Sequence, residues 1–271
     1  MNSILQDLSP STVSLAIDAN KIAYGTLFST LPQAALHEDP GILWFETGVP
    51  LDLFNGVLLT DMEPNALPEA IDRVLSHFQQ RRLPFHWHVG PSSRPASFGH
   101  LLQARGITHE EDEPGMAVDL LTLNEDIPAA SSITIHPVTT DELLQQWVRV
   151  WGCTAPEEVI HQFFTVYSGL HLDLDSPLRL YLGTRDGKPV ATVGLFFGGG
   201  VASVEHVVTL PHLRQQGIGG AMTLMAAREA RTCGYRIGVL TASPMGINIY
   251  RRIGFRECCT CSTYQWNPSA S

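Results

Sequence analysis

The segment Val207-Val208-Thr209-Leu210-Pro211-His212-Leu213-Arg214-Gln215-Gln216-Gly217-Ile218-Gly219-Gly220-Ala221 concentrates the residue types most able to do chemistry. Its β-branched start reads as a strand. Its glycines read as a loop that opens a helix running from about Gly219 to Thr232. The first N–H groups of a helix have no intrahelical partner, and the positive end of the helix dipole lies behind them. Such a junction suits a phosphate or diphosphate, and glycine lets the anion come close to the backbone. Two phosphate loops do not fit. The P-loop needs Gly-Lys-Ser/Thr where this chain has Gly219-Gly220-Ala221. The dinucleotide loop needs a third glycine where Met222 stands.

A third pattern, Arg/Gln-x-x-Gly-x-Gly/Ala, is met at every specified position by Arg214-Gln215-Gln216-Gly217-Ile218-Gly219. A second segment, Ser243-Pro244-Met245-Gly246-Ile247-Asn248-Ile249-Tyr250-Arg251-Arg252-Ile253-Gly254-Phe255, places a tyrosine on a short helix before a Gly-Phe pair. Together these segments resemble the GNAT N-acetyltransferases, and the resemblance covers residues 133–265. It implies an acyl-CoA-dependent enzyme that moves an acetyl group from acetyl-CoA to a primary amine by direct attack in a ternary complex. The competing expectation is a non-catalytic acyl-CoA-binding regulatory module. A nucleotide-binding α/β protein is a third.

The resemblance assigns roles residue by residue. The diphosphate would sit on the amides of Gln215, Gln216, Gly217, Ile218, Gly219 and Gly220. Arg214 either aids the charge or structures the turn. The pantetheine arm would lie along Val207, Val208 and Thr209 and use their main-chain groups, as an added strand does. Tyr250 takes the position of the acid that protonates the leaving thiolate, and its alternative is a core aromatic. Asn248 would bond to the cosubstrate, or is a polar residue of a helix start. Glu205 is a candidate base acting through water, or else a strand-surface glutamate. Strict alternation puts Glu205, Val207 and Thr209 on one face and His206 on the other, as a sheet-face histidine.

These residues need a frame. The second half reads β-α-α-β-β-β-α-β-α-β. Its strands are Ile133 to Ile135, Leu178 to Thr184, Pro189 to Phe197, Ala202 to Leu210, Ile237 to Thr241 and Phe255 onward. Arg185-Asp186-Gly187-Lys188 is a hairpin turn. Helices start at Thr139/Thr140 before Asp141-Glu142 and at Pro156-Glu157-Glu158. In the first half, Thr12 to Tyr24 reads as a helix ended by Gly25. Strands follow at Ile42 to Thr47, Gly56 to Thr60, Phe85 to Val89 and Met116 to Leu120, with helices at Leu67 to Arg81 and Phe98 to Arg105.

The polar, proline-broken stretch 124–132 reads as a linker. It suggests domains at 1–128 and 129–271, the second catalytic. The segment from Trp87 through Ile107 matches Leu240 through Phe255 as strand, proline turn, short helix and Gly-apolar pair, with Leu102 in the place of Tyr250. The segment Thr60-Asp61-Met62-Glu63-Pro64-Asn65 has two acids in place of the glycine loop. The first half is therefore expected to be a degenerate GNAT-like domain that supports or walls the acceptor site. The expected fold is α+β (mixed α/β), two tandem GNAT-like domains, each a mixed, mostly antiparallel central sheet flanked by helices.

Composition narrows the class. The 271 residues carry 17 Lys+Arg against 27 Asp+Glu, a net charge of −10. That balance argues against nucleic-acid or anionic-membrane partners. The resemblance implies an amine acceptor, expected to be a small molecule. The charge is uneven: residues 1–130 hold 6 basic and 17 acidic side chains, the remainder 11 and 10. No run is apolar enough to span a bilayer, and the first residues do not read as a signal peptide. The five cysteines, an odd number with three at 258, 259 and 261, fit a reducing, cytoplasmic setting better than a disulfide framework. No metal site is expected, since Cys258, Cys259 and Cys261 lack paired C-x-x-C spacing and His86 and His88 lack a third ligand.

Overall fold

The computed structural model describes residues 4–127 and 133–268. In chain order its main elements are α1 (Pro10–Leu27), β1 (Ala35–Asp39), β2 (Ile42–Glu46), β3 (Asn55–Thr60), α2 (Leu67–Arg81), β4 (Phe85–Val89), α3 (Gly99–Gln103) and β5 (Thr108–Asp119). There follow β6 (Thr134–Pro137), α4 (Asp141–Trp151), α5 (Glu157–Ser168), β7 (Leu178–Arg185), β8 (Lys188–Gly198), β9 (Val201–Thr209), α6 (Ile218–Thr232), β10 (Ile237–Thr241), α7 (Ile247–Ile253) and β11 (Arg256–Trp266). The chain forms two compact units: a larger one of Met1–Asn20 with Gly115–Cys258, and a smaller one of Lys21–Pro114 with Cys259–Ser271.

This partition differs from a cut at 128/129. Gly115 to Asp119 of β5 pair antiparallel with β10 in the larger unit, and Ser262 to Trp266 of β11 pair antiparallel with β4 in the smaller. Each unit is thus completed by a strand from the other half of the sequence. Residues 128–132 of the expected linker lie outside the described residues. Those just before them are packed rather than free. The Asn124 amide donates to the Ile253 carbonyl at 2.9 Å, Glu125 pairs with Arg228 and Arg231, and Ile127 is buried in the core.

The smaller unit orders its strands β1-β2-β3-β4-β11, and the larger β5-β10-β9-β8-β7-β6. One neighbouring pair in each runs parallel, β3 with β4 and β9 with β10, and the others are antiparallel. The helices follow their patterns. In α2 the apolar residues Leu67, Ala70, Ile71, Val74, Leu75 and Phe78 recur at helical spacing, and all are buried. Phe78 stacks on Phe85 with ring centroids 4.4 Å apart. Helix α4 starts where Thr140 Oγ1 accepts from the Leu143 amide, a cap that stabilises by about 1 kcal/mol. Helix α6 buries Ile218, Met222, Leu224, Ala226, Ala227 and Ala230, and these pack with Val204 and Ala202 of β9 in one core.

Two local expectations change. Helix α1 runs through Gly25 to Leu27. Gly25 does not stop the helix, and a Cβ there would collide with the Leu58 side chain, so its lack of a side chain makes room for a neighbour. Strand β1 was not legible as a strand, because Ala35-Leu36-His37-Glu38-Asp39 is short and polar. It pairs with β2 from Ala35↔Glu46 to Asp39↔Ile42.

Candidate active site

The site is built on β9 and the start of α6. Strand β9 pairs with β8 along one edge, from Gly198↔Val201 to Ala191↔Thr209. Along its other edge it pairs with β10 only at Ala202↔Gly238 and Ser203↔Val239. Beyond Ser203, among the described residues, that edge of β9 has no strand partner. Val207 to Thr209, at the end of β9, thus have a strand neighbour only on the β8 side.

A β-bulge lies in the same stretch. Gly194 pairs with Glu205 and Thr192 with Val208, so His206 and Val207 together oppose Val193. His206 takes a left-handed φ of 53°. The bulge breaks the alternation expected from sequence. A Cβ on Gly194 would meet Glu205 Cβ at 3.3 Å and His206 Cδ2 at 3.4 Å, so Glu205 and His206 share a face. Val207 and Thr209 turn instead toward Gly219, where a Cβ would sit 3.9 and 3.7 Å from their side chains. Glu205 is thus not on the face of Val207 and Thr209. The extra backbone residue at the bulge shifts the phase by one.

His206 faces a nest of rings that the sequence reading did not assemble. Trp147 and Trp151 of α4 and Phe163 and Tyr167 of α5 have centroids 5.4, 6.2, 5.8 and 5.9 Å from the imidazole. The Tyr167 hydroxyl lies 2.8 Å from Nε2, and Thr192 Oγ1 donates to the His206 carbonyl. Burial among these rings lowers the His206 pKa to about 4, so the ring is neutral at pH 7. The available signal was the i, i+4 spacing of Trp147/Trp151 and Phe163/Tyr167, which puts each pair on one helix face.

After β9 the chain makes a short 3-10 turn at Pro211–Leu213 and then the glycine loop. Gly217 precedes α6 with φ 78°, a conformation that costs other residues steric strain. No side chain caps the helix. The Ala221 amide bonds to the Gly217 carbonyl at 3.0 Å. Among the described residues, the N–H groups of Gln215, Gln216, Gly217, Ile218, Gly219 and Gly220 find no acceptor. Arg214 Nε donates to the Thr209 carbonyl at 3.2 Å and so holds the turn. Gln216 Oε1 accepts from Arg185 at 2.8 Å. Gly220 is buried under Ile249 of α7, with 3.0 Å to a would-be Cβ, which sets α7 close on the start of α6.

Tyr250 lies on α7, 8% exposed, in the same core cluster as Ile218 and Val204, with Val207 packed against it. Its ring lies against Gly246 and meets Phe255 edge-on at 6.1 Å. Asn248 is exposed on the first turn of α7, and its Oδ1 accepts from Arg251 at 3.4 Å. The structure therefore brings Val207, Thr209, the glycine loop and the helix of Tyr250 together. It leaves Asn248 outward and puts Glu205 on the face toward α4 and α5.

The corresponding place in the smaller unit is closed. Strand β3 also pairs in parallel at two positions, Gly56↔His86 and Val57↔Trp87, and also bulges, at Leu58. There the chain covers its own open edge. The Arg94 amide donates to the Thr60 carbonyl at 2.7 Å, and the Met62 amide to the Arg94 carbonyl at 3.3 Å. Helix α2 has Pro68, which has no N–H, as its second residue and carries Glu69 in its first turn.

In the larger unit, a strand edge without a partner leads through a turn to a glycine-rich helix start that no side chain caps, on a mixed sheet with one parallel pair. Residues 140–255 match the model of the Acetyltransferase (GNAT) family. The likeness to solved structures extends over both halves. A GCN5-related N-acetyltransferase from Kribbella flavida has a TM-score of 0.69 at 21% identity, covering 92% of this chain and 95% of the other. One from Sphaerobacter thermophilus has 0.62 at 15%, covering 98% and 95%. A tandem GNAT protein of the clavulanic acid biosynthesis pathway has 0.57 at 16%, covering 98% of each. The chain therefore has the tandem GNAT fold, and its first half is GNAT-like. Among curated proteins none matches. No described helix is long and apolar enough to cross a membrane.

Proposed function

We propose that the protein is an N-acetyltransferase that moves the acetyl group of acetyl-CoA to a primary amine, with the site in the larger unit. The observation that carries this reading is the continuity of two unfilled backbone surfaces. The edge of Val207 to Thr209, which has no strand partner among the described residues, leads through the Pro211–Leu213 turn to six amides, Gln215 to Gly220, that lack acceptors. An extended, amide-rich pantetheine arm suits the first, and a diphosphate the second. Gly217 and Gly219 keep side chains away from the approaching anion.

In the proposed reaction the amine nitrogen attacks the thioester carbonyl carbon, an N–C bond forms, and the C–S bond breaks. Tyr250 gives its phenolic proton to the leaving thiolate, and the ammonium proton of the attacking amine passes to base through water. Glu205 is the candidate base. Transfer is direct, without an acyl-enzyme. Arg214 acts as a brace for the loop. Asn248 retains a role toward the cosubstrate in this reading only if its Arg251 contact opens.

The test is thioester consumption with acetyl-CoA across a panel of small primary amines, with Gly217→Glu as the blank. Turnover with at least one amine, absent in the blank, supports the reading. Tight acetyl-CoA binding without turnover on any amine replaces it with the binding-module reading. Protection against heat by ATP or NAD, and none by acetyl-CoA, overturns both.

A further inference from the structure

The smaller unit holds a cluster that the acetyl-transfer reading does not use. His37 on β1, Glu46 on β2 and His77 on α2 bring one ligand atom each to within 4.8 Å of one another. The hairpin register explains two of them. Ala35 pairs with Glu46 and His37 with Trp44, so His37, Trp44 and Glu46 share the hairpin face. His77 comes from α2, with Arg73 and Arg81 one turn before and after it.

Glu46 Oε1 lies 3.6 Å from His37 Nε2 and 3.1 Å from His77 Nε2. Donors bound tetrahedrally to zinc at about 2.0–2.1 Å stand roughly 3.3 Å apart. The two carboxylate-to-imidazole distances are already near that spacing. The Glu46 side chain is 5% exposed. His37 Nε2, His77 Nε2 and Glu46 Oε2 are buried, and none makes a hydrogen bond. Arg81 approaches Oε2 at 3.4 Å, which leaves Oε1 turned to both imidazoles. The His37 ring is held by stacking on Trp44, with centroids 3.6 Å apart.

We propose that His37, Glu46 and His77 bind one divalent transition-metal ion, zinc by ligand type, which clips the β1–β2 hairpin to α2. Two imidazoles and one carboxylate are a zinc donor set, and three protein ligands leave a fourth position for water. Nearby Asp39 is engaged by Arg73 at 3.4 Å and adds no ligand.

The experiment is titration of the metal-free full chain with Zn2+ by calorimetry at pH 7.5, in parallel with His37→Ala and His77→Ala, all checked by circular dichroism. One-to-one binding, weakened by more than about tenfold in both folded variants, is expected. Removing even a group behind a ligand commonly costs that much. A Co2+ spectrum of the unaltered chain gives an independent reading if a variant fails to fold. Ligand-field bands without a thiolate charge-transfer band support the site. No stoichiometric binding, binding retained by both variants, or a thiolate band from the cysteines overturns it. None of these readouts depends on acetyl transfer.

Discussion

The order strand, loop, helix, strand, short helix occurs twice, through β9, α6, β10 and α7 and through β3, α2, β4 and α3, and the copies differ most at the loop. Both first strands carry a bulge, and both share only two register pairs with their parallel neighbour. In the larger unit the edge beyond those pairs is open and the loop amides lack acceptors. In the smaller unit the chain around Arg94 occupies the edge, Pro68 removes one donor, and Asp61 and Glu63 flank the loop. The two units share the frame and differ in which backbone groups of the loop find partners within the chain.

The comparison breaks most visibly at Gly217. Gly217→Glu puts a carboxylate and a Cβ at φ 78°, and is expected to weaken acetyl-CoA binding by more than about 100-fold, roughly 2.7 kcal/mol, in a calorimetric titration. Next is Tyr250→Phe, with kcat lower by about 100-fold and KM for acetyl-CoA within about twofold, as for loss of a general acid. Leu102, its counterpart in the smaller unit, has no group to donate.

The bulges give a third contrast, in pH. His206 has a folded pKa of about 4, below its ordinary 6.5, because it is buried, so the unfolded chain takes up its proton first. Its contribution to stability is intact above pH 6.5 and is lost as the pH falls to 4, by about 3 kcal/mol in all. His206→Asn, which tolerates the left-handed φ, should remove that loss. Urea midpoints of both proteins at pH 7.5 and 4.5 check this, and Leu58 in the other bulge adds no such dependence. A smaller effect is expected for Arg214→Ala. Loss of the brace to the Thr209 carbonyl should weaken acetyl-CoA binding about fivefold, the scale of one hydrogen bond. Smallest of all, Asp61→Ala with Glu63→Ala should leave acetyl-CoA affinity unchanged within about twofold. A large gain in affinity would show that the smaller unit also binds the thioester.

Much of this was legible in the sequence where the signal is local. The glycine loop, the Thr140 cap and the Arg185-Asp186-Gly187-Lys188 turn each require particular backbone angles, and Asp186 and Gly187 adopt φ 51° and 74° there. Alternation failed at Glu205 because it counts residues and cannot see one leave the ladder. The exchange of β5 and β11 was hidden because pairing between distant segments leaves no local pattern. His37, Glu46 and His77 leave no metal-ligand spacing in the sequence because three elements bring them together, whereas His86 and His88 stand two apart on a single strand.

The exchange of strands also limits how the molecule can be divided. A fragment cut at residue 129 would leave β10 without its antiparallel neighbour at Gly115 to Asp119, and β4 without Ser262 to Trp266. Each half would present a bare ladder of amides and carbonyls, prone to aggregate. The ribosome must release the last strand before the first-made lobe can close, so the two lobes have to mature together.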